Sequence, residues 1–438
     1  MTQSTLEVGV GVYQSNEAHW LLLPNKLNAS TAKCLLFLHG RSSTAAQISQ
    51  YPYLFLHAQA LADAGYVVMG IDAGAQSGTA NAFANAWASD PCMTAMGNAK
   101  SYLLTTRGFA GSTRIGVMGW SLGSGQEFVY AQRNAGVVSG IISYAGAFSY
   151  GWLNTNNGLS VPYSYAAELD QSYAATKTTT TGSGTLNQVG SNLTIASGTG
   201  FPASGTGILY NQVPGTGLPN ALKFTYTSGG GTTTLAGCTI VSGSLAWGTG
   251  TNFTGVATSG GWATNAATRD PLVIAQTPLS FDNIPIHCFL AADDPTVGRA
   301  QTPQASMVPD FVAAVNAVHA NQANFHKVVG SLRAAGTTTV GASPPSLTTS
   351  GQNLPVASTA LFSAGGGNAI IETGGAEDTV IIYGGISGSN LTNARLFAGT
   401  QALAQGQVIY PASLDGHTNL HKQIQPSDIP AYAAAFGW

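Results

Sequence analysis

Residues 114–126 read RIGVMGWSLGSGQ, and the apolar run in this stretch ends at a serine held between two glycines. The pattern GWSLG at residues 119–123 is typical of a strand that turns sharply into a helix and exposes a nucleophilic serine, here Ser121, on the turn. Glycine and serine are abundant in the chain, so the pentapeptide alone is also compatible with an ordinary turn. Whether Ser121 is a nucleophile therefore depends on what the rest of the sequence places around it.

The composition describes a large protein with few charges. The chain has 438 residues, a length that predicts two or three domains. Hydrophobic residues make up 44% of it, enough for a large core, and charged residues only 8%, against about 25% in a typical domain. With a formal net charge of −3, the sequence predicts no basic surface for nucleic acid.

Targeting signals and cysteine motifs are not evident in the sequence. Residues 1–14 contain neither the basic nor the apolar segment of a secretory signal, so we predict no signal peptide. No apolar run approaches the roughly 18 residues of a membrane-spanning helix. Four dispersed cysteines without a CxxC pair favour structural thiols over metal ligands or a disulfide framework; they are Cys34, Cys92, Cys238 and Cys288. These features fit a protein made in a cytoplasm and used elsewhere, such as a part of a virion.

The chain alternates between two compositional types. Buried-type apolar strands alternate with helical segments in residues 1–172, 270–330 and 411–438, which predicts a mostly parallel sheet covered by helices on both faces. The intervening residues 173–269 and 331–410 are rich in Thr, Gly and Ser and lack a helical period, which predicts short strands and turns. The strands are predicted at 33–40, 66–72, 114–120, 140–148, 284–295 and 324–330, and the helices at 53–64, 94–107, 123–134 and 305–321. We therefore predict one α/β domain interrupted by two small all-β modules.

The two insertions resemble each other. NLTIAS at 192–197 matches NLPVAS at 353–358, and Phe201 and Phe362 each follow nine residues after the asparagine of that motif. Tyr226 and Tyr383 then occur in register in later β-prone runs. A duplicated β module explains this shared order of features; the alternative is a chance likeness between two Gly- and Thr-rich segments.

A loop after the first buried strand is placed to stabilise an oxyanion. His39, Gly40 and Arg41 lie where the strand predicted at 33–40 ends, and the backbone N–H of Arg41 would act together with that of Leu122, the residue after the serine. The alternative is a turn glycine after a strand, with His39 merely packed.

The acid and the base of a triad have candidates at later positions. Asp293 and Asp294 both lie at the end of the strand predicted at 284–295, and Asp294 is favoured because the next residue, a proline, restricts it to an extended conformation. The alternative is a pair of solvated loop acids. The base is predicted as His417, in the loop DGHTN at 415–419, with His421 as its rival on the start of the last helix.

With the order Ser121, Asp294, His417, the α/β portion resembles the α/β-hydrolase superfamily. The closest likeness is to the bacterial cutinases and polyesterases, with dienelactone-hydrolase-like relatives, through LFLHGRSS (36–43), YVVMGID (66–72), GVMGWSLGSG (116–125), FLAADDPTV (289–297) and DGHTN. This resemblance implies ester hydrolysis by a serine nucleophile without metal or cofactor. The family usually carries a cap where the first insertion begins, whereas an insertion between residue 330 and the histidine loop is unusual for it.

The insertions themselves resemble small β modules of phage tail proteins, through NLTIASGTGFPASG and NLPVASTALFSAGG. This likeness implies an enzyme of the phage virion, with lipid esters or acylated glycans of the host envelope as substrates and other tail proteins as partners. A bacterial cytoplasmic protein is the alternative. Trp120, Trp152 and Tyr163 are candidate acyl or sugar contacts, or else core residues. A non-catalytic tail protein that binds glycans or tail partners through the β modules remains open, as does a peptidase or amidase.

Overall fold

The structure is a computed structural model, and it places most of the α/β portion and of both insertions. It describes residues 4–14, 17–41, 44–45, 52–74, 86–151, 153, 168–170, 172–186, 190–211, 220–243, 246–247, 255–259, 261–277, 279, 284–291, 294, 307–320, 322–328, 336–372, 379–396, 400–412, 420 and 424–438.

Eight strands of the α/β domain form one mostly parallel sheet. They are β1 (Thr5–Val10), β2 (Ala18–Leu23), β3 (Cys34–Leu38), β4 (Val67–Ile71), β5 (Ile115–Trp120), β6 (Val138–Tyr144), β15 (Ile286–Ala291) and β16 (Ala323–Val328). Their order across the sheet is β1-β2-β4-β3-β5-β6-β15-β16; β2 runs antiparallel to both of its neighbours, β1 and β4, and all other neighbouring strands are parallel. Every residue of β2 to β6 and of β15 is buried, so the sheet is covered on both faces, as the continuous apolar runs predict.

Helices alternate with these strands and share one core with them. They are α1 (Pro52–Asp63), α2 (Asp90–Ser101), α3 (Leu122–Arg133), α4 (Gly261–Arg269), α5 (Pro271–Ala275), α6 (Met307–Val318) and α7 (Ile429–Ala434), with a π-helical turn at Tyr102–Thr106 and a 3₁₀ turn at Pro426–Asp428. Phe311 of α6 stacks on Phe148 and meets Phe128 of α3 edge-on. Helix α2 begins before the predicted position 94 because a proline occupies its first turn.

The two insertions form small antiparallel sheets, called module 1 and module 2 here. The strands of module 1 are β7 (Lys177–Thr179), β8 (Gly184–Thr185), β9 (Ser191–Thr194), β10 (Gly205–Asn211), β11 (Asn220–Tyr226), β12 (Thr234–Gly243), β13 (Ala246–Trp247) and β14 (Gly255–Thr258). Those of module 2 are β17 (Thr338–Thr339), β18 (Gln352–Pro355), β19 (Gly367–Ile371), β20 (Thr379–Tyr383), β21 (Gly385–Ser387), β22 (Asn390–Leu396) and β23 (Val408–Ala412). The described strands confirm the β character predicted for both insertions, although helix α4 (Gly261–Arg269) falls within the range 173–269 predicted for the first one.

Both modules have the same topology. The main sheet of module 1 has the order β7-β14-β10-β11-β12-β9, and that of module 2 has the order β17-β23-β19-β20-β22-β18. If the six strands of each main sheet are numbered along the chain, both sheets have the order 1-6-3-4-5-2. Equivalent hydrogen bonds recur: Ala196 N–H donates to Thr179 O and Ala357 N–H to Thr339 O, while Ser197 N–H donates to Thr178 Oγ1 and Ser358 N–H to Thr338 Oγ1. The repeat that the matching motifs predict is present as a repeated fold.

The ends of each module lie side by side. In module 1 the first strand β7 pairs with the last strand β14, and in module 2 the first strand β17 pairs with β23. The strands of module 1 end at Thr258, and the helix α4 that follows, within the range predicted as the first β module, packs Trp262 into the core of the α/β domain. The chain therefore leaves the α/β domain and returns to it at neighbouring points of each module.

The predicted character of the cysteines is confirmed, because all four are buried free thiols. Among the helices that the structure describes, none combines the length and the hydropathy needed to cross a membrane.

Candidate active site

Ser121 occupies a sharp turn between β5 and α3. Its φ of 54° and ψ of −112° lie in a region of backbone conformation that residues other than glycine rarely adopt. Neighbouring elements hold this conformation: the Ser121 N–H donates to Tyr144 O at 2.8 Å, and the Ser121 carbonyl accepts from Ala147 N–H at 2.9 Å and from Ser124 N–H at 3.2 Å. The geometry is that of a nucleophile elbow, as the stretch at 114–126 predicts.

The two glycines around the serine are required by close backbone contacts. A Cβ on Gly119 would lie 2.6 Å from the carbonyl carbon of Gly123, and a Cβ on Gly123 would lie 2.5 Å from the carbonyl oxygen of Leu38. Helix α3 therefore begins against the ends of both β5 and β3. This packing explains why the pattern is Gly-x-Ser-x-Gly and not simply a serine in a turn.

The carboxyl ends of the parallel strands bring the predicted site segments to one edge of the sheet. Leu38 of β3 is in register with Gly119, Trp120 of β5 with Tyr144, and Tyr144 of β6 with Phe289 of β15. The loops after β3, β5 and β15 therefore start at the same edge, which is where ligands bind in open α/β sheets.

The loop after β3 is held by the side chain of His39. Its Nδ1 lies 2.8 Å from the carbonyl oxygen of Gly40, and its Nε2 lies 3.1 Å from that of Asp72. The Asp72 carboxylate accepts hydrogen bonds from the backbone N–H groups of Ala45, at 2.6 Å, and Ala18, at 2.8 Å. Asp72 thus fixes the far end of the same loop, a role that the sequence does not indicate although this acid ends the strand predicted at 66–72.

The predicted oxyanion donors lie on elements suited to the role. Leu122 is the first residue of α3, where backbone N–H groups have no acceptor within the helix. Arg41 follows Gly40, and a Cβ on Gly40 would lie 2.8 Å from the Trp120 ring. That Trp120 ring is buried against the loop, which gives it a packing contact; its role as a substrate contact stays a prediction.

The predicted acid Asp294 is described, whereas the predicted base is not. Asp294 is 1% exposed, and its N–H donates to the carbonyl oxygen of Ala291, the last residue of β15, at 3.1 Å. A buried carboxylate at a strand end suits the orientation of a histidine. Asp293, His417, His421, Trp152 and Tyr163 lie outside the described residues, so the roles predicted for them remain predictions.

A buried ion pair that the sequence did not indicate adjoins the loop after β3. Arg41 Nε lies 2.9 Å from each carboxylate oxygen of Glu168, and the indole Nε1–H of Trp87 donates to Glu168 Oε2 at 3.0 Å. The two residues of the pair are far apart in the sequence, so only the folded chain shows their contact.

A second unpredicted acid is buried behind the elbow. Glu127 on α3 is fully buried, and neither of its carboxylate oxygens has a hydrogen-bond partner within the described part of the chain. Burial raises the pKa of Glu127 well above 4.5. Glu17, beneath the loop after β4, accepts a hydrogen bond from the Tyr13 hydroxyl, and burial raises its pKa to about 7.

Solved structures of hydrolytic enzymes are similar to this chain at low sequence identity. An S-formylglutathione hydrolase from Agrobacterium tumefaciens is 10% identical, with a TM-score of 0.40 and coverage of 75% of this chain and 88% of that one. EstE1, a thermophilic carboxylesterase cloned from a metagenomic library, is 9% identical, with a TM-score of 0.39 and coverage of 75% and 80%. An acylaminoacyl peptidase from Pyrococcus horikoshii is 13% identical, with a TM-score of 0.28, and the match spans 35% of this chain and only 25% of that one. No protein-family model and no curated protein sequence matches the chain.

The strand order and the elbow together decide the fold. The chain has an α/β-hydrolase fold. In this fold the serine stands at the carboxyl edge of the sheet, next to backbone N–H groups at the start of a helix. Such an arrangement can stabilise an oxyanion that forms beside the serine. Among the described residues, no group of three or more His, Cys, Asp or Glu side chains is placed to hold a metal ion.

Proposed function

We propose that this protein is a serine carboxylic-ester hydrolase with Ser121, Asp294 and His417 as its catalytic triad. The observation that carries the proposal is the backbone conformation of Ser121, on a turn that both flanking glycines are needed to form. A strained non-glycine residue costs about 1–3 kcal/mol and is typical of functional sites. Asp294, buried after β15 at the same edge of the sheet, supports the assignment.

The proposed reaction begins with formation of an acyl-enzyme. The imidazole of His417 removes the proton of Ser121 Oγ while this oxygen attacks the ester carbonyl carbon. The N–H groups of Arg41 and Leu122 donate to the oxygen that becomes negative, and Asp294 stabilises the imidazolium. The tetrahedral intermediate then collapses, the bond to the alcohol breaks, and the alcohol leaves with the proton from His417.

Water completes the cycle. His417 removes a proton from a water molecule, and the resulting hydroxide attacks the acyl carbon bound to Ser121. The bond to Ser121 Oγ breaks, the serine recovers its proton from His417, and the carboxylic acid is released. No metal or cofactor enters this scheme.

For the natural substrate we propose lipid esters or acylated glycans of a host cell envelope, cleaved by an enzyme located in a phage tail. The support is the likeness of both insertions to small β modules of phage tail proteins. In this setting the modules contact other tail proteins or the host surface, and Trp120, Trp152 and Tyr163 contact the acyl or sugar group.

A non-catalytic tail protein is the second candidate. One observation favours it: modules 1 and 2 share one strand order, as expected of repeated binding units. In that case the α/β-hydrolase fold is a support, and the strained conformation of Ser121 has no chemical use.

Hydrolysis of p-nitrophenyl esters from acetate to palmitate tests the proposal. We expect turnover by the wild-type chain and a loss of at least about 10³-fold in Ser121→Ala. Ser139→Ala is the matched control, because Ser139 is also buried but lies at the amino end of β6, away from the elbow. Full activity in Ser121→Ala, or no hydrolysis of any ester by the wild type, would overturn the proposal and favour the binding protein.

A further inference from the structure

The buried acid Glu168 is bound on two sides by donors. It is 0% exposed, and its carboxylate accepts from Arg41 Nε and from the Trp87 indole, while Arg41 Nη2 lies 2.7 Å from Oε1. The Arg41 side chain is itself 10% exposed. A bidentate guanidinium–carboxylate contact fixes the relative orientation of the two groups as well as their distance.

Stability alone explains such a pair poorly. A buried ion pair is often no more stabilising than apolar residues of the same volume, because both charges lose their hydration. What the pair does supply is a fixed position for Arg41. Arg41 directly follows Gly40, in the loop that faces the elbow, so a fixed Arg41 also fixes a part of this loop next to Ser121.

The peptide between Gly40 and Arg41 is held at both of its ends. His39 Nδ1 lies 2.8 Å from the Gly40 carbonyl oxygen, which in a trans peptide points away from the Arg41 N–H. Glu168 anchors the side chain of Arg41, the residue that carries this N–H. Two anchors leave the peptide little freedom to rotate, so the direction of the Arg41 N–H is defined before substrate binds.

We propose that Glu168 is a positioning residue of the oxyanion hole, acting through Arg41. The inference rests on the proposed esterase function, in which the Arg41 N–H donates to the oxyanion. Glu168 touches neither the substrate nor Ser121 in this scheme; it keeps the donor in the geometry that the transition state needs.

The surroundings of Glu168 fix the carboxylate in turn. Trp87, which donates to it, has a φ of 54° and accepts a hydrogen bond from the Tyr173 hydroxyl at its carbonyl oxygen. The next residue, Ala88, accepts from Arg269 Nη1 at 2.8 Å. The acid therefore stands in a rigid environment built from the segments that flank module 1.

Steady-state kinetics of three variants test the proposal: Glu168→Gln, Arg41→Met and the double variant. We expect each to lower kcat by at least about tenfold while KM changes less than about twofold, because the oxyanion forms only in the transition state. Binding of an arylboronic acid, which forms a tetrahedral adduct with the serine, should weaken by a similar factor. The double variant should lose no more than either single variant, because both changes release the same N–H.

Glu7→Gln is the matched control. Glu7 also binds an arginine through two nitrogens, those of Arg107, but it lies on the edge strand β1, three strands away from β3 in the sheet, so the kcat and boronate affinity of this variant should stay those of the wild type. The double variant leaves no unpaired buried charge, so it gives the result if a single variant fails to fold.

The outcomes separate the two proposals. Wild-type kcat and boronate affinity in Glu168→Gln or in the double variant, or effects of the two changes that multiply, would overturn the role of Glu168. If Ser121→Ala is as active as the wild type, the esterase proposal itself fails and this inference fails with it.

Discussion

Replacing the buried acid Glu127 by glutamine should stabilise the protein, and the gain should depend on pH. Burial raises the pKa of Glu127 well above 4.5, so the folded chain keeps a proton that the unfolded chain releases as the pH rises. The free energy of unfolding is therefore highest below pH 4.5, and it decreases as the pH rises towards the pKa that Glu127 has in the folded chain. Glutamine has nearly the same shape and no proton to lose, so it removes this loss.

The magnitude follows from proton linkage. While Glu127 stays protonated in the folded state, each pH unit above about 5 costs the wild type about 1.4 kcal/mol relative to Glu127→Gln. For an α/β domain of roughly 250 residues, this corresponds to about 2–3 °C in Tm for each pH unit. Near pH 4.5 the two proteins should differ little, since both side chains are then neutral in the folded state.

Thermal unfolding followed by tryptophan fluorescence at pH 5, 6 and 7 measures the effect. Asp63→Asn serves as the control, because Asp63 is an exposed carboxylate at the end of α1. Its difference from the wild type should not vary with pH in this way. A Tm difference between Glu127→Gln and the wild type that is constant across pH, or negative throughout, would refute the reasoning.

Two further predictions concern the elbow and the edge of the sheet. Gly123→Ala should lower kcat by about 10²-fold, because the added Cβ would lie 2.5 Å from Leu38 O and displace the start of α3. In urea, the free energy of unfolding should fall by about 1–3 kcal/mol. A folded variant with near-normal kcat would contradict this prediction. Burial and the neighbouring His326 lower the pKa of His287 to about 4, so the unfolded chain takes up the proton first and stability should fall as the pH drops from 6.5 towards 4. A shift of this size corresponds to about 3 kcal/mol, and His287→Gln should flatten the Tm profile over that range; an unchanged profile would argue against it.

The parts of the fold that the sequence predicts are those with continuous apolar runs. Strands β3 to β6 are buried on both faces, so each consists mainly of apolar residues and can be recognised from its composition. Strand β1 escaped prediction because its apolar side chains face outward: Val8 is 71% exposed and Val10 is 65% exposed. On such an edge strand, the alternation of apolar and polar residues no longer indicates which face of the strand is buried.

The candidate site also has parts that the sequence predicts and parts that it does not. The elbow, the loop after β3 and the acid after β15 are local patterns, and the structure places each at the edge where parallel strands end. The Arg41–Glu168 pair and the contacts of Asp72 join segments far apart in sequence, and Glu127 resembles any other helical glutamate until the packing of α3 buries it. Such contacts depend on the folded arrangement of the chain and carry no local signal.

The pairing of the first and last strands of each module affects how the α/β sheet can fold. Strands β6 and β15 are neighbours, yet all of module 1 lies between them, so their pairing closes a very long loop. If β7 and β14 pair first, the module becomes a closed unit, and the loop left to close is roughly half as long. Because loop entropy grows only as (3/2)RT ln n, shortening a loop from about 140 to about 60 residues saves less than about 1 kcal/mol. The insertions therefore reduce the stability of the sheet only slightly. A module that forms early would nevertheless bring β6 and β15, two strands distant in sequence, close together during folding.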